Sequence, residues 1–486
     1  MTVRLLKTDL HIHNLHTRMP FKSGIATLTL VPHLFIRLQL EVDGIAATGI
    51  AADVLPPKWF TKDPATTMQH DIAEMLDVIR SACHQAKAIG QAATIFAFWQ
   101  QLYTAQKRWA EARSELPAYP PLLWNFGVSL VERALIDAFC RAKGSTFHEA
   151  VTTNTLGVDL GTIHAELCGQ TPATFLPQQP HATLTVRHTI GLVDPLTDAE
   201  IPADERIHDG LPQSFAACIR HYGLTHFKIK VGGDVEDDLA RLARIIQLIE
   251  QAVPDEYAFT LDGNEQYKSM ADFRHFWEQL TATFPAFIEQ LIFVEQPLHR
   301  AIALSNEVGD ALEAWPDHPP MIIDESDGSL DSLPTAIALG YQGTSHKNCK
   351  GIFKGLANAC LIAHRRQRQP ARQFLLSGED LTNIGPIALL QDLAVLATFG
   401  VDHAERNGHH YFAGLSIFPA AVQNQVLAQH GDLYTQQDDL VAVSIHNGQI
   451  ALGSVVNAPF GVGFTLDVEQ FMPVDEWTLA TLGVGK

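Results

Sequence analysis

Hydrophobic and polar positions divide the chain into three stretches of different rhythm. From Val3 to Arg18 apolar and polar residues alternate (Val3 and Leu5, then Leu10 and Ile12), and Leu28 to Val42 is a second run rich in Leu, Val, Ile and Phe. This spacing predicts antiparallel strands. The pattern then changes. Ile72, Met75, Leu76, Ile79 and Cys83 recur at helical spacing before Gly90, a plausible stop, and Leu123 to Gly144 reads as another helix. Strands followed by helices make residues 1–170 an α+β unit.

Gln170 to Pro180, rich in Pro, Gln and Thr, reads as a linker. Beyond it, short β-rich runs alternate with helical stretches: Thr183–Ile190, Thr225–Val231, Phe259–Leu261, Ile292–Val294, Met321–Ile323, Gly343–Lys347 and Phe374–Leu376. One amphipathic helix is clear, with Leu239, Leu242, Ile245, Ile246, Ile249 and Val253 on one face. Strands alternating with helices mean a parallel sheet, and seven or eight such units across 180–415 fit a closed (β/α) barrel. Residues 416–486 return to strand-like pieces, Leu440–Ile445 and Gln449–Val455, expected to fold back on the first domain. No repeat or low-complexity tract interrupts this plan.

Composition narrows the function. Among 486 residues, 34 Lys+Arg face 54 Asp+Glu, a net charge of −20, while hydrophobic residues make up 46%. So much apolar material argues for an ordered chain. The acidic balance argues against nucleic acid or an anionic membrane as partner, although a locally positive pocket can still take a small anion. Six scattered cysteines without a CxxC pair fit a reducing cytosol rather than a disulfide scaffold or a structural zinc site. The N-terminus does not read as a signal peptide, and no apolar run is long enough to span a bilayer, so a cytoplasmic protein is expected. A homo-oligomer is the expected assembly.

Catalytic residues of such a barrel stand at the C-terminal ends of its strands. Read in order, these ends carry Lys228 and Lys230, then Asp262, Glu295, Asp324 and Lys347, at intervals of 32, 33, 29 and 23 residues from Lys230 onward. Each interval is about one strand–helix unit. Lys228 and Lys230 share a face by the two-residue period. Three carboxylates converging at a barrel mouth repel unless a cation lies between them. All-oxygen ligation suits a hard ion, Mg2+ first and Mn2+ second. Such a site suits abstraction of a proton next to a carboxylate: the metal takes the developing charge and a lysine takes the proton. Lysines on both faces allow the proton to be removed on one side and returned on the other.

The series KIK at 228–230, LDGN at 261–264, VEQPL at 294–298, DES at 324–326 and KNCKG at 347–351 resembles the enolase superfamily, and within it the muconate lactonizing subgroup. The superfamily's Lys base and Mg2+-stabilised ene-diolate are a known pattern. VERALIDAFCRAKG, 131–144, is similar to the family's helix before the barrel. The resemblance implies a modified TIM barrel, (β/α)7β, with an α+β capping domain built from the N-terminal region and the C-terminal tail. It implies metal ligands Asp262, Glu295 and Asp324, an acid/base pair Lys230 and Lys347, and Lys228 as an electrostatic or substrate-carboxylate contact. The implied substrate is a small anionic carboxylate, and the reaction is racemisation, epimerisation or cycloisomerisation, with β-elimination as the alternative. Two segments of the cap, Arg18–Thr27 and Thr48–Lys62, are the implied specificity loops.

Some positions depart from the pattern. The seventh strand ends in Ser377-Gly378-Glu379-Asp380 without the histidine of the mandelate racemase branch, and the eighth, Val401 to Arg406, lacks the Asp-x-Asp of the dipeptide epimerases. Lys350 is followed by Gly351-Ile352 where a double glycine is common. Asn264, Glu379, Asp402 and His403 are expected at the pocket as substrate contacts or supports. Two other functions compete. His11 and His13 form an HxH that could begin a zinc-dependent amidohydrolase barrel; otherwise they are exposed strand residues of the cap. A non-catalytic binding protein on the same barrel is the third reading.

Overall fold

The computed structural model describes residues 1–23, 26–113, 118–254 and 256–483. The N-terminal part is an antiparallel meander of β1 (Val3–Ser23), β2 (Ala26–Val42) and β3 (Ile45–Val54), with the short β4 (Gln91–Ala92) on β1. Of the expected specificity segment Arg18–Thr27, Gly24 and Ile25 lie outside the described residues. The second segment is only in part a loop, because Thr48 to Val54 belongs to β3.

Three helices cover this sheet: α1 (Met68–Ile89), α2 (Ile95–Glu111) and α3 (Pro121–Lys143). Their ends follow local chemistry. Thr67 and Thr94 cap α1 and α2 by accepting a backbone N–H, Pro121 opens α3, and Gly144 closes it in the left-handed region. Every α3 residue from Leu122 to Cys140 is buried, because the helix packs on β3 and also reaches the barrel. Gly49 permits the first contact: a Cβ there would come within 2.0 Å of the Ala134 carbonyl oxygen. The short α4 (Phe147–Thr152) follows, and the expected linker carries no strand or α-helix.

Eight parallel strands then close into a barrel: β5 (Thr183–Ile190), β6 (His226–Lys230), β7 (Ala258–Asp262), β8 (Leu291–Glu295), β9 (Met321–Ile323), β10 (Gly343–His346), β11 (Leu375–Gly378) and β12 (His403–Glu405), with β12 pairing back to β5. Between them run α5 (Phe215–Tyr222), α6 (Val235–Ala252), α7 (Met270–Thr283) with α8 (Pro285–Ile288), α9 (Asn306–Glu313), α10 (Ser332–Leu339), α11 (Ile352–Arg368) and α12 (Ala388–Phe399). This is the (β/α)7β order, with strands where the β-rich runs predicted them.

After β12 come α13 (Gly408–Tyr411), α14 (Ala420–Gln429), the hairpin β13 (Tyr434–Gln437) and β14 (Leu440–Val443), β15 (Gln449–Ala451), α15 (Gly453–Val456) and β16 (Met472–Pro473). The strand-like pieces expected on the cap lie elsewhere: β15 extends the barrel sheet antiparallel to β5, and among the described residues β13 and β14 pair only with each other. The tail reaches the cap sheet later, where β16 pairs with β1 at His11 and Ile12. Among the described residues no helix is long and apolar enough to cross a membrane.

Candidate active site

The strand ends of the barrel bring acids and bases into one buried cluster. Lys228 is its centre. Its Nζ lies 3.0 Å from Asp262 Oδ2, 2.8 Å from Glu295 Oε2, and 2.9 Å from both Glu379 Oε2 and Glu405 Oε2. Burial pulls the ammonium down, but the four carboxylates outweigh it and hold its pKa well above the usual lysine value. Lys230 donates to Asp262 Oδ2 at 2.6 Å, so both lysines of the KIK motif meet one carboxylate. Across the mouth Lys347 donates to Asp324 Oδ2 at 2.9 Å and Glu379 Oε2 at 2.8 Å. Lys350 donates to Asp324 Oδ1 at 2.7 Å and to the Asp324 carbonyl at 2.8 Å.

These contacts nearly balance the charge. Asp262, Glu295, Asp324, Glu379 and Glu405 face Arg187, Lys228, Lys230, Lys347 and Lys350. Glu325 stands beside them; burial first, and then the Asp324 charge, push its carboxyl up to about 8. Asp324 is opposite in sign: burial would raise it, but Lys347 and Lys350 hold it far below the carboxylate range.

Glu295 is the exception within the cluster. An ammonium has three N–H groups and cannot bond four carboxylates at once. Both Glu295 oxygens are buried without a hydrogen bond among the described residues, although Oε2 lies 2.8 Å from Lys228 Nζ. Burial and the Glu379 charge raise its pKa well above normal. Oxygens of Glu295, Asp324 and Glu379 lie within 4.8 Å of one another, close enough for one ion. An orphaned carboxylate in an all-oxygen donor set fits a hard divalent cation. Asp262 is part of the same cluster but not of that tightest trio; Lys228 and Lys230 occupy its Oδ2.

Above the cluster lies a narrow pocket. The barrel lines it with Lys228, Lys230, Asp262, Asn264, Asp324 and Lys347, and the cap roofs it with Phe21, Leu28, Pro56 and Trp59. Both expected cap segments therefore reach the pocket. Asn264 donates to Glu325 Oε1 at 3.0 Å, and its backbone, like that of Glu265, has a positive φ (43° and 66°). Such conformations persist where surrounding contacts enforce them. Here the Asn264 N–H donates to Asp262 Oδ1 at 2.7 Å, and Lys62 of the cap donates to the Asn264 carbonyl at 2.6 Å.

Other expected contacts lie elsewhere. Glu379 is beneath the lysines, where Arg187 and Ser377 bond its Oε1, and does not line the pocket. Asp402 precedes β12, at the opposite end of the barrel from the pocket; its side chain is 86% exposed and pairs with His181. His403 begins the same strand and accepts from Arg187 inside the barrel, with its ring 5.4 Å from that of His226, the first residue of β6. His11 and His13 lie on β1 of the cap sheet, away from the barrel strand ends, which removes the basis for an amidohydrolase centre. Neither is exposed: His11 is buried, and the half-buried His13 bonds the Ile417 carbonyl.

Glu405, Arg187 and Trp59 belong to the site although no motif in the sequence marks them. Glu405 ends β12 and bonds Lys228 and Thr189. Its signal was its place, the last residue of an eighth strand, rather than any Asp-x-Asp motif.

No family model and no curated protein matches the sequence. Solved structures do match. Muconate lactonizing enzyme from Pseudomonas fluorescens, complexed with muconolactone, superposes with a TM-score of 0.59 at 17% identity, over 96% of this chain and 98% of that one. N-succinyl Arg/Lys racemase from Bacillus cereus gives 0.58 at 14%, over 97% and 98%. Dipeptide epimerase from Enterococcus faecalis, complexed with Mg and L-Leu-L-Tyr, gives 0.57 at 14%, over 94% and 99%. The fold is that of the mandelate racemase and muconate lactonizing proteins of the enolase superfamily, as the order of motifs led us to expect.

Proposed function

We propose that the protein is an enzyme that removes the α-proton of a small carboxylate substrate, using Lys230 and Lys347 on opposite faces. The observation that carries this reading is their position. Lys230 ends β6 and Lys347 follows β10, the second and sixth of eight strands, so they stand across the mouth from each other over one pocket. Fold neighbours whose names are racemase, epimerase and lactonizing enzyme support the reaction class.

Glu295 and Asp324, with Asp262 and Glu379 beside them, are the residues to hold Mg2+, or Mn2+ in its place. Bound there, the cation supplies positive charge for the deprotonated substrate and competes with the lysines for carboxylates, which moves lysine pKa values down toward those of a general base. As the site stands, carboxylates outweigh burial and keep Lys230 and Lys347 protonated, the form in which either returns a proton. Lys228 is caged and 1% exposed, so it serves as fixed positive charge toward the substrate carboxylate. Phe21, Leu28, Pro56 and Trp59 cover the apolar part of the substrate and exclude water. With both lysines active the outcome is racemisation or epimerisation. With one, the same carbanion leads to cycloisomerisation or to β-elimination.

Deuterium wash-in tests the proposal. The protein is incubated with Mg2+ in D2O and a panel of N-acyl amino acids, dipeptides and acid sugars, and α-deuteration is read by mass spectrometry. Lys230→Ala and Lys347→Ala should each abolish exchange from one face. If no carboxylate of any class exchanges in the wild type, the proposal fails and a non-catalytic binding protein becomes the better reading.

A further inference from the structure

A second cluster of metal-type ligands lies outside the carboxylate site and shares no residue with it. His188 of β5, Cys218 of α5 and His410 of α13 each offer a ligand atom, and these atoms lie within 4.8 Å of one another. All three side chains are buried. Cys218 Sγ contacts His410 Nδ1 at 3.5 Å across 192 residues of sequence, and His409 Nε2 lies 3.2 Å from His188 Nδ1. We propose that His188, Cys218 and His410 form a buried site for a borderline divalent cation, Zn2+ first, with His409 beside His188. Two imidazoles and one thiolate are zinc-type donors that leave a fourth position for water, and they are too soft for Mg2+.

The surroundings support ligation. Burial pushes His188 down to about 4 and keeps His409 and His410 well below the ordinary histidine value, so the rings are neutral and keep a lone pair at pH 7. Burial also raises the Cys218 thiol. Zinc must therefore displace that proton, one H+ leaving to solvent for each Zn–S bond formed. The nearby cation Arg18 is already paired, donating to both Asp209 oxygens at 2.6 and 2.7 Å. The site has a structural consequence. Arg18 on β1 also donates to the His410 carbonyl at 3.1 Å, and the Phe21 ring, which roofs the pocket, lies 4.2 Å from that of Tyr411. Zinc would tie β5, α5 and α13 together beneath that wall.

The probe is Co2+ added to metal-stripped protein with Mg2+ in excess to fill the carboxylate site, under a phosphine reductant. One equivalent should give a near-ultraviolet thiolate-to-cobalt band that one equivalent of Zn2+ removes, and Zn2+ should raise Tm. The band should persist in Asp324→Asn and vanish in Cys218→Ser. His188→Gln, which keeps the thiol, should weaken Co2+ binding at least tenfold and serves if the serine variant does not fold. Absence of the band in wild type, or its persistence in Cys218→Ser, overturns the proposal in favour of a hydrogen-bonded cluster of neutral side chains.

Discussion

Lys347 Nζ lies 5.5 Å from the centre of the Trp59 ring, so a side chain of the cap closes over a lysine of the barrel. A cation over an indole face is stabilised by about 0.5–2 kcal/mol, more when water is excluded. Trp59→Ala removes that preference for the charged lysine and opens the roof. We expect kcat/KM for α-proton exchange to fall by about tenfold, the equivalent of ~1.4 kcal/mol, and the pKa assigned to Lys347 in the pH–rate profile to move down. Trp59→Phe should keep most of both. Unchanged exchange in the alanine variant would detach the cap from the chemistry.

The loop carrying Trp59 is pinned by Arg300, which donates to the Trp59 and Phe60 carbonyls at 3.0 and 3.1 Å and grips Glu265 through Nε and Nη2, both at 2.8 Å. Arg300→Met keeps the stem of the side chain and removes the clamp, while Lys62 still pairs with Glu265 at 2.9 Å. The expected result is a KM raised several-fold with kcat nearly unchanged, together with faster proteolysis between residues 56 and 67. A fall in kcat alone would mean that the clamp orients the barrel loop rather than the cap.

Glu379 joins three cations: Lys228 and Lys347 bond its Oε2 and Arg187 its Oε1. Burial alone would raise its pKa, and those cations hold it well below the usual range. Glu379→Gln leaves buried positive charge uncompensated, which typically costs about 3–5 kcal/mol. Urea unfolding at pH 7 should show that loss. A variant as stable as wild type would mean that a lysine had shed its proton, and the pH–rate profile would then shift.

The barrel was legible because its strands are short runs of large apolar residues and because their ends carry charge that nothing else in the pattern explains. Asp262, Glu295, Asp324, Lys230 and Lys347 stood out on those grounds, and the structure brings them into one cluster. β3 did not stand out. Its sequence, IAATGIAADV, is rich in Ala and Gly since it lies tight against α3, and small residues carry little strand signal. Asp402 and His403 were expected at the mouth for a different reason. β12 is only three residues long, so its polar start and its polar end look alike in sequence, and Glu405 is the residue at the mouth. The His188–Cys218–His410 cluster had no local spacing to reveal it, because the fold assembles it from three distant elements.

Glu132 gives the protein a pH dependence that belongs to folding rather than to catalysis. It lies on α3 and accepts the Ile352 and Phe353 N–H groups at 3.0 and 2.7 Å, holding the start of α11 just after Lys347 and Lys350. Burial raises its pKa from 4.5 to about 7, against the opposing pull of those two N–H bonds. A carboxyl raised on folding keeps its proton longer in the folded state than in the unfolded one. Its contribution is therefore full below about 4.5 and is lost as pH rises through 7. The shift corresponds to on the order of 3 kcal/mol. Urea midpoints measured from pH 4.5 to 8 should fall across this window on account of Glu132. Glu132→Gln, neutral at every pH, should flatten the fall while lowering stability at pH 4.5, because its amide NH2 must face one of the two N–H donors. An identical slope in wild type and variant would assign the pH dependence to another group.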